Sequence, residues 1–306
     1  LSCSMQQASS YPLRSKYTQH LRDKALLLVL LMAAIALVAL YALSTGAYQV
    51  SLPELFLSLT GRLDGPPSVV IANIRLPRIV SAIICGWGLS LSGLCIQSLL
   101  KNPLGSPSTL GISQGAAFGA AFSIVFFGAE VFSVSCFAFA GAMGATLTIL
   151  VLARLRSLSP EAIILAGVAL SSLFASATLL IQYLATETEL AMVVFWTFGD
   201  VARSSWSEIM LLAGALLLIF FCVMAKKWDL NAMAYGEETA KGLGVSVSRT
   251  RIVGMVVATL LAALATAFHG VIAFIGLIAP HIARPLVGEN HGLLIPFSSA
   301  VGALLL

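Results

Sequence analysis

The sequence predicts an all-α protein that crosses a membrane several times. Two observations carry this. Of the 306 residues, 59% are hydrophobic and only 10% are charged, with a mean hydropathy of +0.98, against about 25% charged in soluble domains. The apolar residues also gather into long runs free of charge. A helix of about 20 such residues spans the roughly 30 Å hydrocarbon core, whereas a transmembrane barrel would alternate apolar and polar positions.

The first run, 25–43, follows a basic stretch (Arg14, Lys16, Arg22, Lys24) and is longer than the apolar core of a cleavable signal, about 7–15 residues, so it reads as a retained helix. Further runs occupy 79–100, 110–129, 131–153, 162–185, 209–225, 252–267, a broken segment at 270–283, and 293–306. The chain thus divides into an N-terminal segment, 1–24, and a transmembrane domain, 25–306, containing one large polar loop at 226–251. The last run has no polar flank, from which a further helix is expected. Cys3, Cys85, Cys95, Cys136 and Cys222 are scattered, with no metal-ligand spacing.

Lysine and arginine set the orientation, because they are retained on the cytoplasmic side. With the N-terminus inside, the outer surface keeps only Arg62, Arg75, Arg78 and Arg203 of the 17, and the 226–251 loop is cytoplasmic. None of the apolar runs contains Asp, Glu, Lys or Arg, which disfavours a proton- or ion-coupled transporter. The sequence has no His-Glu-x-x-His, Gly-x-Ser-x-Gly or bis-histidine helix for an enzyme, and no Gly-x-x-x-x-Gly-Lys-[Ser/Thr] for ATP. Energy for uphill transport would therefore arrive through another subunit.

Small residues recur at helical spacing: Gly111, Gly115 and Gly119, Gly86 with Ser90, Gly88 with Ser92, and Gly141 with Ala145. Such rows let helices approach closely in lipid. Two proline-bearing interruptions stand out, Lys-Asn-Pro-Leu-Gly-Ser-Pro at 101–107 and Ala-Pro-His-Ile-Ala-Arg-Pro at 279–285. In the first, Pro107 with Ser108 and Thr109 reads as a helix start. Irregular backbone at membrane depth must be buried in protein or line a cavity, so both are candidate gates. In the polar loop, Glu237 and Glu238 precede Lys241 by four and three residues, which supports a short helix, with Gly242 and Gly244 as its stops. An ordinary solvated connector would show the same mixed charge.

Ordered blocks then carry a resemblance. Ile-Arg-Leu-Pro-Arg (74–78), Gly-x-Ser-Leu-Ser-Gly-x-x-x-Gln (88–97), Asn-Pro-Leu-Gly-Ser-Pro (102–107), Leu-Gly-Ile-Ser-x-Gly-Ala (110–116), Leu-Ala-Gly-Val-Ala-Leu (165–170), Phe-Trp-x-x-Gly (195–199), Gly-Glu-Glu-Thr-Ala-Lys-Gly-Leu-Gly-Val (236–245) and Phe-Ile-Gly-Leu-Ile-Ala-Pro-His-Ile-Ala-Arg (274–284) occur in sequence. Together, from about residue 52 onward, the chain resembles the FecCD transport family, permeases of type II ABC importers for ferric siderophores, haem and cobalamin. The resemblance implies a ten-helix permease fold, of which about nine helices are present here, in the inner membrane. It also implies three kinds of partner: a second permease subunit, two cytoplasmic ATPases that hold ATP and Mg, and a substrate-binding protein outside. This chain itself would bind no cofactor or metal and catalyse nothing.

Carried onto these residues, the resemblance implies docking of the binding protein at Arg75 and Arg78, although arginines at helix ends also snorkel to headgroups. It implies ATPase contact through Gly236, Glu237, Glu238, Thr239, Ala240, Lys241, Gly242, Leu243 and Gly244. It places an inner gate at Asn102, Pro103 and Leu104 with Ser159 at the start of the fifth run, where Pro160 departs from the small polar residue frequent in the family. Gln97, Gln182 and His269 are polar candidates for the pathway; a lone histidine near a helix end is also commonly just hydrogen-bonded. The expected cargo is a ferric siderophore, with haem, cobalamin or an oxyanion such as molybdate as alternatives. A secondary transporter would explain the hydropathy but not the coupling-like loop.

Overall fold

Each of the nine apolar runs becomes a helix. The computed structural model describes residues 11–46, 50–59, 65–203 and 205–306; Arg62 and Cys3 lie outside these. In chain order the helices are α1 (Tyr11–Ser44), α2 (Leu52–Leu59), α3 (Pro66–Val70), α4 (Leu76–Leu100), α5 (Ile112–Phe127), α6 (Val131–Arg154), α7 (Pro160–Leu184), α8 (Glu187–Thr197), α9 (Trp206–Ala225), α10 (Lys227–Ala234), α11 (Glu237–Gly242), α12 (Val247–His269), α13 (Ile275–Val287) and α14 (His291–Leu305). A π-helical turn, Ile71–Arg75, makes α3 and α4 continuous. No strand occurs among the described residues. Among the described residues six helical segments are long and apolar enough to cross a membrane, and α5, α13 and α14 are shorter apolar helices.

The bundle is built around α4, which packs against α9, α12, α13 and α14. Close approach of backbones holds it there. A Cβ on Gly93 would lie 1.8 Å from the Gly276 carbonyl oxygen of α13, and one on Gly86 would lie 2.3 Å from that of Gly302 in α14. Ser90 Oγ donates to the Ser298 carbonyl at 2.7 Å and Ser92 Oγ to the Ala258 carbonyl at 2.6 Å, fixing α14 and α12. Gly115 and Gly141 make the same kind of crossing between α5 and α6. Of the predicted glycine rows, Gly88 meets nothing, and Gly111 lies before α5 with φ +78, against Gly167 of α7. By contrast α1 and α7 bury only 11% and 17% of their most apolar windows within the chain, against 67% for α4, so both need lipid or another subunit to cover them.

The interruptions fold differently from expectation. Pro107 does not start a helix: residues 106–109 form a hydroxyl-bonded turn, in which the Ser106 N–H donates to Thr109 Oγ1 at 2.9 Å, and α5 begins at Ile112. Nor do Pro280 and Pro285 break the late segment, since both lie inside α13. Pro280 has no N–H for the Gly276 carbonyl four residues back, and Gln97 Nε2 supplies donors to the Gly276 and Leu277 carbonyls, each at 3.4 Å. The true break is at 270–274, where Gly270 (φ +76) packs beneath the Trp196 carbonyl and Phe274 is left-handed. The Phe-Trp-x-x-Gly block is thereby explained, because Gly199 faces Val271 and Ile272.

The apolar pattern did not predict α8. A capping box starts it: Thr186 accepts from the Glu189 N–H while Glu189 accepts from the Thr186 N–H, which with the Thr186 hydroxyl holds the Glu189 carboxyl below its usual range. Ser205 and Glu208 form the same box at the head of α9.

Candidate functional site

At one end of the bundle the polar loop folds as two short helices, α10 and α11. Glu237 and Glu238 occupy the first turn of α11 and Lys241 the last, the arrangement a helix dipole favours. Its end is a Schellman motif. Gly244 takes φ +85 and donates to the Lys241 carbonyl at 2.9 Å, and the Val245 N–H reaches the Ala240 carbonyl at 2.9 Å. Ala240 is fully buried and seats the helix on the core, while Glu238, Thr239, Lys241, Gly242, Leu243 and Gly244 are exposed.

Beside α11 lie the two turns expected to form a gate. Lys101 ends α4 in a left-handed conformation (φ 50), and Asn102 Oδ1 accepts from the Leu104 N–H at 2.9 Å, leaving Pro103 and Leu104 exposed. Ser157 and Leu158, at φ 56 and 57, turn the chain into α7, where Ser159 caps the helix by accepting from the Ala162 N–H at 3.2 Å. One side chain joins both turns to α11. Arg251, 1% exposed, donates through Nε to the Leu99 carbonyl at 3.3 Å and through Nη1 to the Leu158 carbonyl at 2.7 Å, and its Nη2 pairs with the Glu237 carboxylate. Sequence reasoning counted Arg251 only as a loop cation. A signal was present: a cation in the opening turns of a helix opposes the helix dipole, so an arginine at the head of the 252–267 run calls for a partner.

The polar pathway candidates do not converge. Gln97 is buried against α13. His269 is buried near the opposite end, where Nδ1 meets the Ala265 carbonyl at 2.9 Å and Nε2 meets Ser81 Oγ. Ser81 and Gln97 stand 16 residues apart on one helix, about 24 Å. Gln182 is half-buried near the end of α7. At that same end, the arginine pair divides. Arg75 is buried over Gly46, with Nη1 donating to the Leu43 carbonyl of α1 at 2.7 Å, whereas Arg78 is exposed. Among the described residues no cluster of His, Cys, Asp and Glu could hold a metal.

The model of the FecCD transport family matches residues 30–306. This chain belongs to the FecCD transport family. A provisionally named ABC transporter permease protein of Methanocaldococcus jannaschii is 46% identical over 303 residues, covering 95% of this chain and 87% of the relative. The permease protein of an Fe(3+)-citrate import system of Bacillus subtilis is 35% identical, with 95% and 87% covered. Relatives from Haemophilus influenzae and Halobacterium salinarum, each 34% identical, are named for import of molybdate and cobalamin; the match covers 88% of this chain and 82% of the relative in the first case, 78% and 64% in the second. A solved structure, an inward-facing conformation of a provisionally named metal-chelate type ABC transporter, superposes with a TM-score of 0.82 at 34% identity, over 91% of this chain and 87% of that one. The FecCD chain is thus the multi-pass permease component of an ABC importer, and the helical architecture is that of its metal-chelate relatives.

Proposed function

We propose that this permease carries an iron chelate of the siderophore or ferric-citrate class inward across the plasma membrane, driven by separate ATPase subunits that meet α11. The observation that carries the drive is the form of α11: one buried anchor, Ala240, beneath an exposed rim of Glu238, Thr239, Lys241 and Leu243. ATP-driven closure of two partner subunits biases access only through a contact that differs between states, and a short helix seated on the core but open outward provides one. Delivery from a binding protein belongs to the opposite end, at Arg78, with Arg75 holding the ends of α1 and α4 together beneath it. Between them, the weakly buried α7 faces a second permease subunit across the pathway, with its inner gate at Asn102–Leu104 and Ser159.

The iron reading is supported by the ferric-citrate relative and the metal-chelate structural neighbour. Two experiments test the proposal. Photocrosslinkers at Glu238 and Leu243 are expected to reach the ATPase in the assembled complex; crosslinks to lipid alone would remove the coupling role. The cognate binding protein is expected to retain a ferric chelate at nanomolar concentration, and retention of cobalamin or molybdate instead would reassign the cargo.

A further inference from the structure

We infer that Arg251 is a positioning residue that transmits movement of α11 to the inner gate, an inference resting on the reading of α11 as the ATPase contact. Its three partners belong to three different elements. Glu237 is the first residue of α11, Leu99 lies three residues before Asn102, and Leu158 immediately precedes Ser159.

Neither carbonyl is served by a helix. The residue four positions after Leu99 is Pro103, which has no N–H, and Leu158, left-handed at φ 57, lies before the Ser159 cap where the bonds of α7 begin. Arg251 supplies what is missing at each turn. It also holds the carbonyl of a left-handed leucine, a conformation that side chains with a Cβ adopt only at a cost, so the turn into α7 is tied to the guanidinium.

The buried charge explains the design. A cation at the head of α12 gains nothing from the helix dipole and is removed from water, so its compensation comes from the Glu237 carboxylate, which is itself 34% exposed and sits at the rim a partner would press. Displacing α11 moves the carboxylate paired directly with Arg251, and the rigid, planar guanidinium carries that displacement to both turns. A cavity of about 510 Å³, lined by Leu99, Gly244, Val245 and Arg249 among others, borders the junction, so the α4 end and the α11–α12 link are not close-packed on that side.

The test uses the whole complex in proteoliposomes, with the native cysteines replaced and Leu104→Cys as reporter. Maleimide labelling of this cysteine is compared in the nucleotide-free complex and after trapping with ATP and vanadate. A change in labelling rate is expected with Arg251 present. With Arg251→Lys, which keeps the charge but loses the fork, ATP hydrolysis by the copurified ATPase is expected to persist while the nucleotide-dependent change shrinks about tenfold, the factor a lost charge-assisted hydrogen bond carries. Glu237→Gln is expected to shrink it in the same way, and the double variant to be no worse than Arg251→Lys alone. An undiminished change in both single variants overturns the inference, as does loss of ATP hydrolysis in parallel with the change, which marks a role in folding alone. If Arg251→Lys does not assemble, Glu237→Gln decides by the same two readouts. Failure of the ATPase to copurify with Arg251 and Glu237 intact would instead remove the coupling reading beneath.

Discussion

Single side chains at the two ends of this permease separate holding from presenting. Arg75 and Arg78 look equivalent in sequence, three residues apart on a helix. Yet the first spends its guanidinium on the Leu43 carbonyl and the second is exposed. Arg78→Glu is therefore expected to abolish binding-protein-dependent uptake without changing expression or thermal stability, whereas Arg75→Gln is expected to lower stability, measured as the melting temperature in detergent. Equal loss of stability in both would return the pair to a single role. His269 belongs to the holding class. Its Nδ1 meets the Ala265 carbonyl within α12 and its Nε2 joins α12 to α4 through Ser81, and replacing it by leucine removes that link between the helices, at roughly 0.5–1.5 kcal/mol. His269→Leu is expected to unfold earlier on heating while retaining substrate transport in the surviving fraction; a shift in substrate preference at unchanged stability would restore its place on the pathway.

At the scale of elements, length and hydropathy sufficed wherever a helix had only to be long and apolar. All nine runs are helices for that reason. What the pattern could not supply was who satisfies the backbone when a rule is broken. Two prolines look like a helix end at 279–285, but α13 continues because Gln97, distant in sequence, donates to the freed carbonyl region. The segment 270–283 reads as broken in sequence, but its prolines point to the wrong place: the break falls at 270–274, where Gly270 is pressed against the Trp196 carbonyl and takes a positive φ. Both facts are tertiary. The missed α8 is a different case, since its Thr-x-x-Glu box was legible at 186–189. The 236–245 segment was legible too: its charges, spacing and final glycine all foretold a short helix, and only its tie to Arg251 required three dimensions. The Schellman turn at its end carries a further prediction. Gly244 at φ +85 has open space around it, so Gly244→Ala meets no clash and pays only the conformational cost, about 1–2 kcal/mol. That cost falls on α11 rather than on the bundle. Weaker crosslinking of the ATPase with an unchanged melting temperature is the expected pair of results, and a fall in melting temperature of several degrees would contradict the local assignment.

For the molecule as a whole, sidedness decides every role at once. Hydrogen bonds place distant charges on a common face: Lys24 donates to the Val287 carbonyl at the end of α13 at 2.6 Å, and Arg251 joins the end of α4 to the start of α7 and to α11. The opposite face carries Arg75, Arg78 and the α8 segment, reached through the Ser81–His269 contact and the Asp200 N–H donating to the His269 carbonyl at 2.7 Å. The proposed orientation puts the α11 face, with its excess of Lys and Arg, in the cytoplasm. In a cysteine-free background, Thr239→Cys on α11 and Thr188→Cys on α8 are both exposed positions. An impermeant maleimide added outside right-side-out vesicles is expected to label Thr188→Cys and to reach Thr239→Cys only after the membrane is opened. The reverse pattern would put α11 where no ATPase can meet it, and the docking, gating and coupling roles would fall together.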